Sequence, residues 1–473
     1  MIDLKHVFQA LIDLTPPLDV PLSGAVIDSR QAEADSLFIA LPGEHVNGHD
    51  FVQDAFNNGA IAALVDQDMP DSLNTIDLRS MDANFDSYSF SLPICLRVAD
   101  ALSGLQTLAK FWREKHPVKT IGITGSVGKT TTKELTAAIL SQKYSVLKNP
   151  GNRNNEIGLP LTLLELEPQH HFAVLEMGFY VPGEIKLLCQ IAQPQVGVVT
   201  NVGTVHAERA GSQEIIAKGK VELVQALPAP PQGIAILNKD DPWVWAMREK
   251  THAKILSYSM LEEADLFASD VQSEGLDGIS CQLHYQGKSH QIQSPLLGEF
   301  SVYMILRATA VALSYGLDWA VIKQGLSTTH VDIRMHPMIL QNGVTVIDDT
   351  YNASPSSTIA ALQFLKGLPG RRVAILGDML ELGPYEQTGH VSVGEVIPES
   401  VDLLLLVGRR SKVIAQAAIS KGFPQQKLHW YPDSNQAAQP AVNAIQEGDI
   451  VLIKGSNSMH MDRILTALRE FVQ

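Results

Sequence analysis

The chain has 473 residues, more than one ordinary hydrophobic core accommodates, and about 150 residues per domain suggests about three domains. Lys and Arg number 36 against 51 Asp and Glu, a net charge of −15, which excludes a broad cationic footprint for a nucleic-acid backbone. Hydrophobic residues at 45% and charged residues at 18% exclude a disordered chain. The cysteines, Cys95, Cys189 and Cys281, are odd in number and far apart, so neither a disulfide framework nor a thiolate metal site is expected. The segment 1–14 lacks the apolar core of a signal peptide. The longest aliphatic run, Leu403 to Val407, falls far below the ~18 residues of a membrane span. The expectation is a soluble cytoplasmic protein with no membrane span and no nucleic-acid partner.

In chain order, Gly24 to Arg30 reads as a strand running into a polar loop. Ser36 to Leu41 reads as a second strand, ended by Pro42-Gly43. The polar stretch 69–93 reads as a boundary zone. From about Val98 strand and helix alternate. Lys119 to Thr124 is a predicted strand and Thr130 to Ser141 a predicted helix with Leu135, Ala138 and Ile139 apolar. Phe172 to Glu176, Val196 to Thr200 and Ala235 to Leu237 follow as buried-type strands, which predicts a mostly parallel sheet with helices on both faces. Between Tyr258 and Ser294 the alternation weakens, and Ile279 to Tyr285 suggests an antiparallel insert. Strands at Val344 to Ile347, Val373 to Leu376, Leu403 to Val407 and Ile450 to Ile453 predict a further α/β domain after a hinge near Thr328 to Pro337.

The strongest motif is Gly122-Ile-Thr-Gly125-Ser126-Val127-Gly128-Lys129-Thr130-Thr131, a strand, a glycine-rich turn and a helix start. Glycines let backbone N–H groups approach phosphates, the helix end adds partial positive charge, Lys129 neutralises phosphate oxygens and a Thr hydroxyl suits Mg²⁺. The strict phosphate-loop pattern wants Gly at 123, where Ile stands, so a plain strand-turn-helix junction is the competing reading. Three more groups sit at or beyond strand ends, where open α/β sheets bind ligands. Glu176 is a metal carboxylate or a solvated strand end, His206 a metal ligand or a loop histidine, and Lys218 a site group or a surface lysine. Asp348-Asp349 ends a strand before Tyr351-Asn352-Ala353-Ser354-Pro355-Ser356, and is read either as a ribose-binding pair or as helix capping.

Taken with Asp28-Ser29-Arg30, Gly48-His49-Asp50, Gly151 to Gly158, Leu376-Gly-Asp378-Met and Lys454-Gly-Ser456, these segments resemble the Mur ligase family of cell-wall precursor synthesis over nearly the whole chain. The resemblance implies an α/β protein of three domains. These are an N-terminal UDP-substrate domain over 1–98, a central phosphate-loop ATPase over 99–332 and a C-terminal Rossmann-like domain over 333–473. Asn154-Asn155-Glu156 and Tyr351-Asn352-Ala353 resemble the member that joins D-Ala-D-Ala to a UDP-N-acetylmuramoyl-tripeptide through an acyl phosphate. It further implies a monomer that uses ATP and two Mg²⁺ ions. Lys129 would hold phosphates, Thr130 and Glu176 the first Mg²⁺ and His206 the second, with Lys218 carbamylated near the metals. Arg334 and Asp349 would grip the nucleotide beside the loop residues 125–131. Ser29, Arg30, His49, Asn154, Asn155 and Glu156 would bind the UDP-precursor, and Asn352 and Ser356 the D-Ala-D-Ala side.

Departures from the family pattern cluster. Where Gly-x-His-Asn-x-x-Asn is usual, the chain reads Gly298 to Met304, with Phe300 for His, Met304 for the adenine-reading Asn, and Arg307 following. Ile333, Ser354 and Asn457 replace Gly, Asn and Arg. The Phe300 to Met304 segment motivates an alternative, a non-catalytic relative that holds the UDP-precursor. A folylpolyglutamate-synthase-like ligase is a further alternative, opposed by the front domain with Asp28-Ser29-Arg30.

Overall fold

Short β-branched and aliphatic runs followed by helices fold here into three mostly parallel sheets. A computed structural model describes residues 2–43, 46–205, 207–327, 335–341 and 343–471. The chain divides into two compact units: Met1–Gly122 with Tyr144–Gly178 and Glu184–Gln195, and Ile123–Lys143 with Phe179–Gly183 and Val196–Gln473.

The first unit contains strands β1 (Ala25–Val26), β2 (Leu37–Ile39), β3 (Ala62–Val65), β4 (Thr75–Asp77) and β5 (Ile94–Arg97). They pair in the order β1-β2-β3-β5-β4, all parallel. Phe38, Ala40, Val52, Ala55, Ala63, Val65 and Cys95 form the core on one side of this sheet. The stretch 69–93, expected to be a boundary, instead contributes β4; a three-residue strand with Ile76 as its one buried side chain shows no alternation to detect. The following helix, Ala101–Glu114, starts where Asp100 accepts from Ser103 N at 2.6 Å. It buries Leu105, Leu108, Ala109 and Trp112, a helical stripe worth roughly 2 kcal/mol per large side chain. The Trp112 indole N–H finds Leu166 O at 3.0 Å, which satisfies its one polar atom. β6 (Lys119–Thr124) comes next, and β7 (Val146–Lys148) and β8 (Phe172–Glu176) are a parallel pair.

In the second unit β9 (Val196–Val199), β10 (Ile234–Asn238), β11 (Lys254–Ser259) and β12 (Leu266–Ser273) run parallel. β13 (Ile279–Tyr285) and β14 (Lys288–Ser294) continue antiparallel, as the weakened alternation predicts. The last sheet orders as β15-β16-β20-β17-β18-β19, with β15 (His336–Ile339), β16 (Thr345–Asp349), β17 (Arg372–Gly377), β18 (Leu403–Val407), β19 (Leu428–Tyr431) and β20 (Ile450–Lys454). β15 alone runs antiparallel to its neighbour. Successive strand residues face opposite layers. Ile347, Ala374, Leu376, Leu404, Leu406 and Leu452 pack under helices Pro355–Lys366 and Glu386–Ser400. Val346, Val373, Ile375, Leu405, Val451 and Ile453 pack under helices Ser434–Ala444 and Asp462–Phe471. Both faces are thus covered, the doubly wound arrangement whose strand ends bind ligands. The expected hinge at 328–337 lies mostly outside the described residues, and its described end already belongs to β15. Among the described residues no helix is long and apolar enough to cross a membrane.

Candidate functional site

β6 ends at Thr124, and residues 125–128 turn the chain into helix Lys129–Ser141. Gly125 (φ 143°) and Gly128 (φ 85°) hold backbone conformations that side chains resist, and a Cβ on Gly125 would lie 1.8 Å from Thr200 Oγ1. The exit of β9 cradles this loop. Ser126 N donates to Asn201 O at 3.0 Å, Val127 N to Asn201 Oδ1 at 2.9 Å, and Thr200 Oγ1 to Val127 O at 2.8 Å. Gly203 N closes the loop on Ser126 Oγ at 2.8 Å. Lys129 Nζ donates to Gly125 O at 2.9 Å, so the ammonium is held over the glycine turn. The residue before the helix is a glycine and offers no side-chain cap, which leaves the helix N-terminus suited to an anion. The geometry suits a phosphate, and a plain junction gives no reason for its glycines to be clamped so tightly.

Helix Gln213–Gln225 carries Lys218 and Lys220. Lys218, the expected site lysine, is exposed; Lys220 is fully buried. The buried stripe Ile216, Lys220, Leu223 has helical spacing, and that periodicity is the signal that sequence reasoning passed over. Among the described residues Lys220 Nζ has no hydrogen-bond partner and sits 4.9 Å from the centre of the Phe179 ring. Burial, and next the charge of Lys129, hold the Lys220 ammonium well below its ordinary pKa. His206 lies outside the described residues.

Glu176 ends β8, buried, with Oε1 accepting from Asn154 Nδ2 at 2.8 Å. Asn149, which sequence reasoning missed, fixes the same strand end: its Oδ1 accepts from Glu176 N and its Nδ2 donates to Glu176 O and Arg153 O. A buried Asn before Pro150-Gly151 was the available signal. Asn154 therefore orients the carboxylate. Asn155 Oδ1 accepts from Gly158 N at the start of helix Gly158–Leu164, and Glu156 offers its carbonyl to Gln106.

A cleft of ≈ 910 Å³ in the first unit is lined by Asp28, Ser29, Arg30, Gly43, Asn58 and Ile157, among others. Arg30 grips Asp28 with both Nε (2.9 Å) and Nη2 (2.7 Å), and this guanidinium holds the Asp28 carboxyl below its ordinary range. His49, expected among the substrate contacts, is not a lining residue. Its Nδ1 lies 2.8 Å from Asn47 Oδ1, its Nε2 accepts from Asp66 N at 3.1 Å, and burial lowers its pKa. With both ring nitrogens engaged, His49 fixes the wall behind the cleft.

A second cavity, of ≈ 160 Å³, joins the phosphate loop (Val127, Gly128, Thr131) to Phe300, Met304 and Arg307 and to the C-terminal sheet. From that sheet come Asp349, Ser356 and Lys454. Lys454 Nζ donates to Asp349 Oδ2 at 2.5 Å and to Asn352 O at 2.9 Å. Asp349 is thus a buried ion-paired carboxylate, whereas Asp348 turns onto Thr350 and the helix cap is Ser354. Ser356, expected on the D-Ala-D-Ala side, lines this cavity beside the glycine loop, and the Asn352 side-chain oxygen accepts from Ala353 N. Arg334 lies outside the described residues.

A clamped glycine loop and a cavity reaching a doubly wound C-terminal sheet have the form of an α/β nucleotide-dependent ligase. Residues 123–312 match the Mur ligase middle domain, 333–457 the Mur ligase glutamate ligase domain and 21–76 the Mur ligase family catalytic domain. The UDP-N-acetylmuramoyl-tripeptide–D-alanyl-D-alanine ligase of Synechocystis sp. is 36% identical over 95% of this chain and 92% of its own. Crystal structure I of MurF from Acinetobacter baumannii superposes with a TM-score of 0.85 at 31% identity, covering 99% of this chain and 98% of its own. The MurF ligase from Thermotoga maritima in complex with ADP gives 0.79 at 27% identity, over 95% and 97%. The chain belongs to the Mur ligase family.

Proposed function

We propose that the protein joins D-Ala-D-Ala to the terminal carboxylate of UDP-N-acetylmuramoyl-tripeptide, converting ATP to ADP and phosphate, as the names of its relatives suggest. The observation that carries the reading is the phosphate loop clamped by Thr200 and Asn201 beneath Lys129. A carboxylate is a poor electrophile, so its oxygen first attacks the γ-phosphorus and ADP leaves. The dipeptide amine then attacks the acyl carbon, loses a proton, and phosphate departs from the tetrahedral intermediate. The protein's share is alignment and charge neutralisation.

Lys129 draws the β- and γ-oxygens onto the loop amides. The Thr130 hydroxyl and the Glu176 carboxylate are hard oxygen donors that suit Mg²⁺, and the resemblance adds His206 for a second ion. Mg²⁺, when bound, neutralises charge between the two reacting anions. The lysine that reacts with CO₂ is Lys220 in this reading, not the exposed Lys218. Its amine, when deprotonated, would add to CO₂, release one proton and become a carbamate with oxygens that suit a metal. The 910 Å³ cleft with Ser29 and Arg30 would take the UDP-precursor, with domains over 1–98, 99–332 and 333–473 as the family resemblance implies. A cytoplasmic monomer fits such use of ATP.

ADP release should require both UDP-tripeptide and D-Ala-D-Ala, with tripeptides ending in meso-diaminopimelate and in lysine both offered. A rate indifferent to both substrates overturns the proposal and favours the non-catalytic relative. Asn154→Ala removes the amide that orients Glu176, and should raise the Mg²⁺ concentration for half-maximal rate about tenfold. An unchanged Mg²⁺ requirement would remove Asn154 from that role.

A further inference from the structure

Arg307 stands inside helix Val302–Ser314 and is almost completely buried, yet both acceptors of its hydrogen bonds are neutral. Its Nε donates to Tyr258 Oη at 2.7 Å and its Nη2 to Thr200 O at 3.0 Å. The guanidinium also lies over the Tyr258 and Tyr303 rings, 5.6 and 5.8 Å from their centres. Two nitrogens are thereby spent on holding the plane in place. The third, Nη1, is 3.0 Å from where a Cβ on Gly128 would stand, and so points at the last glycine of the phosphate loop. Arg307 also lines the 160 Å³ cavity beside Gly128 and Met304.

Among the described residues this buried cation has no salt-bridge partner, and a guanidinium tethered on two sides with its remaining edge toward a glycine loop has the form of a phosphate ligand. Met304, at the same cavity, offers neither amide donor nor amide acceptor to a base.

Resting on the ATP-dependent reading above, we infer that Arg307 is a nucleotide-positioning residue that binds the diphosphate of ATP and ADP through Nη1. Its carbonyl tether to Thr200 couples that grip to the residue whose hydroxyl holds Val127 O, so the loop and the guanidinium are set by one strand end.

Calorimetry on the full chain with ADP, inorganic pyrophosphate and adenosine tests this. Arg307→Met should weaken ADP and pyrophosphate by about 10- to 100-fold and leave adenosine unchanged. Equal weakening of all three would mean that Arg307 only supports the cavity, and an unchanged ADP affinity would also overturn the inference. Should the methionine variant not fold, Arg307→Lys keeps a cation with one nitrogen for three partners. It should lose ADP affinity about three- to tenfold with adenosine again unchanged, and a parallel loss of both refutes the assignment. A wild-type chain that binds no ADP would instead refute the ligase reading itself.

Discussion

Lys220→Met should make the protein more stable and nearly inactive. The side chain is fully buried, its amine has no hydrogen-bond partner among the described residues, and the neighbouring positive charge is that of Lys129. Methionine matches its length and removes the polar atom, a change worth about 1–3 kcal/mol in favour of the folded state. Turnover should fall about 10²- to 10³-fold, because no amine remains to form a carbamate. The pH dependence separates this from a generic packing effect. In the unfolded chain Lys220 keeps its proton up to about its ordinary value of 10.5, while in the folded chain it gives it up far lower. Between those limits the unfolded state binds more protons, so wild-type stability rises with pH. The methionine variant lacks that slope. In CO₂-free buffer its advantage should be largest near neutrality and shrink as pH approaches 10.5. Denaturant midpoints at pH 7 and pH 9.5 measure the difference; a variant less stable than wild type at neutrality, or fully active, contradicts the argument. Bicarbonate should raise the activity of CO₂-depleted wild type and leave the variant unchanged.

Lys129→Ala should reduce substrate-dependent ADP release by about 10³-fold, the scale on which single cationic groups act in phosphoryl transfer. Its ammonium donates to Gly125 O, a loop contact of an incompletely buried side chain, and the fold should survive the replacement. The same loop amides remain, and residual nucleotide binding should persist more strongly than turnover. An unchanged rate removes Lys129 from the mechanism. If Arg307 also grips the diphosphate, Lys129→Ala should still bind ADP measurably, whereas the double replacement with Arg307→Met should not.

Two kinds of information were unequal in the sequence. The parallel strands Phe172–Glu176, Val196–Val199, Leu403–Val407 and Ile450–Lys454 are buried on both faces and read as unbroken apolar runs. β4, β15 and β19 are short sheet-edge strands of mixed burial, and their residues alone look like loop. The phosphate loop was legible because only glycine tolerates the positive φ at 125 and 128, and lysine must follow. Lys218 and Lys220 differ by two positions, and their chemistry by a helix face. Their motif could not say which points inward; the Ile216–Lys220–Leu223 spacing could have.

Local backbone demands and apolar periodicity were thus written into the chain itself: the α/β class, the glycine turn with its lysine and the strand-end carboxylate. Partnerships over long sequence separation were settled only by folding. Lys454 meets Asp349, Arg307 meets Thr200 and Tyr258, and Asn149 meets Glu176 because distant strand ends converge. Burial then decides what each group is: it lowers the Lys220 pKa, leaves Lys218 in water, and engages both ring nitrogens of His49. The physical reason is that desolvation and hydrogen-bond pairing depend on which surfaces meet, and no local pattern of residues encodes that meeting.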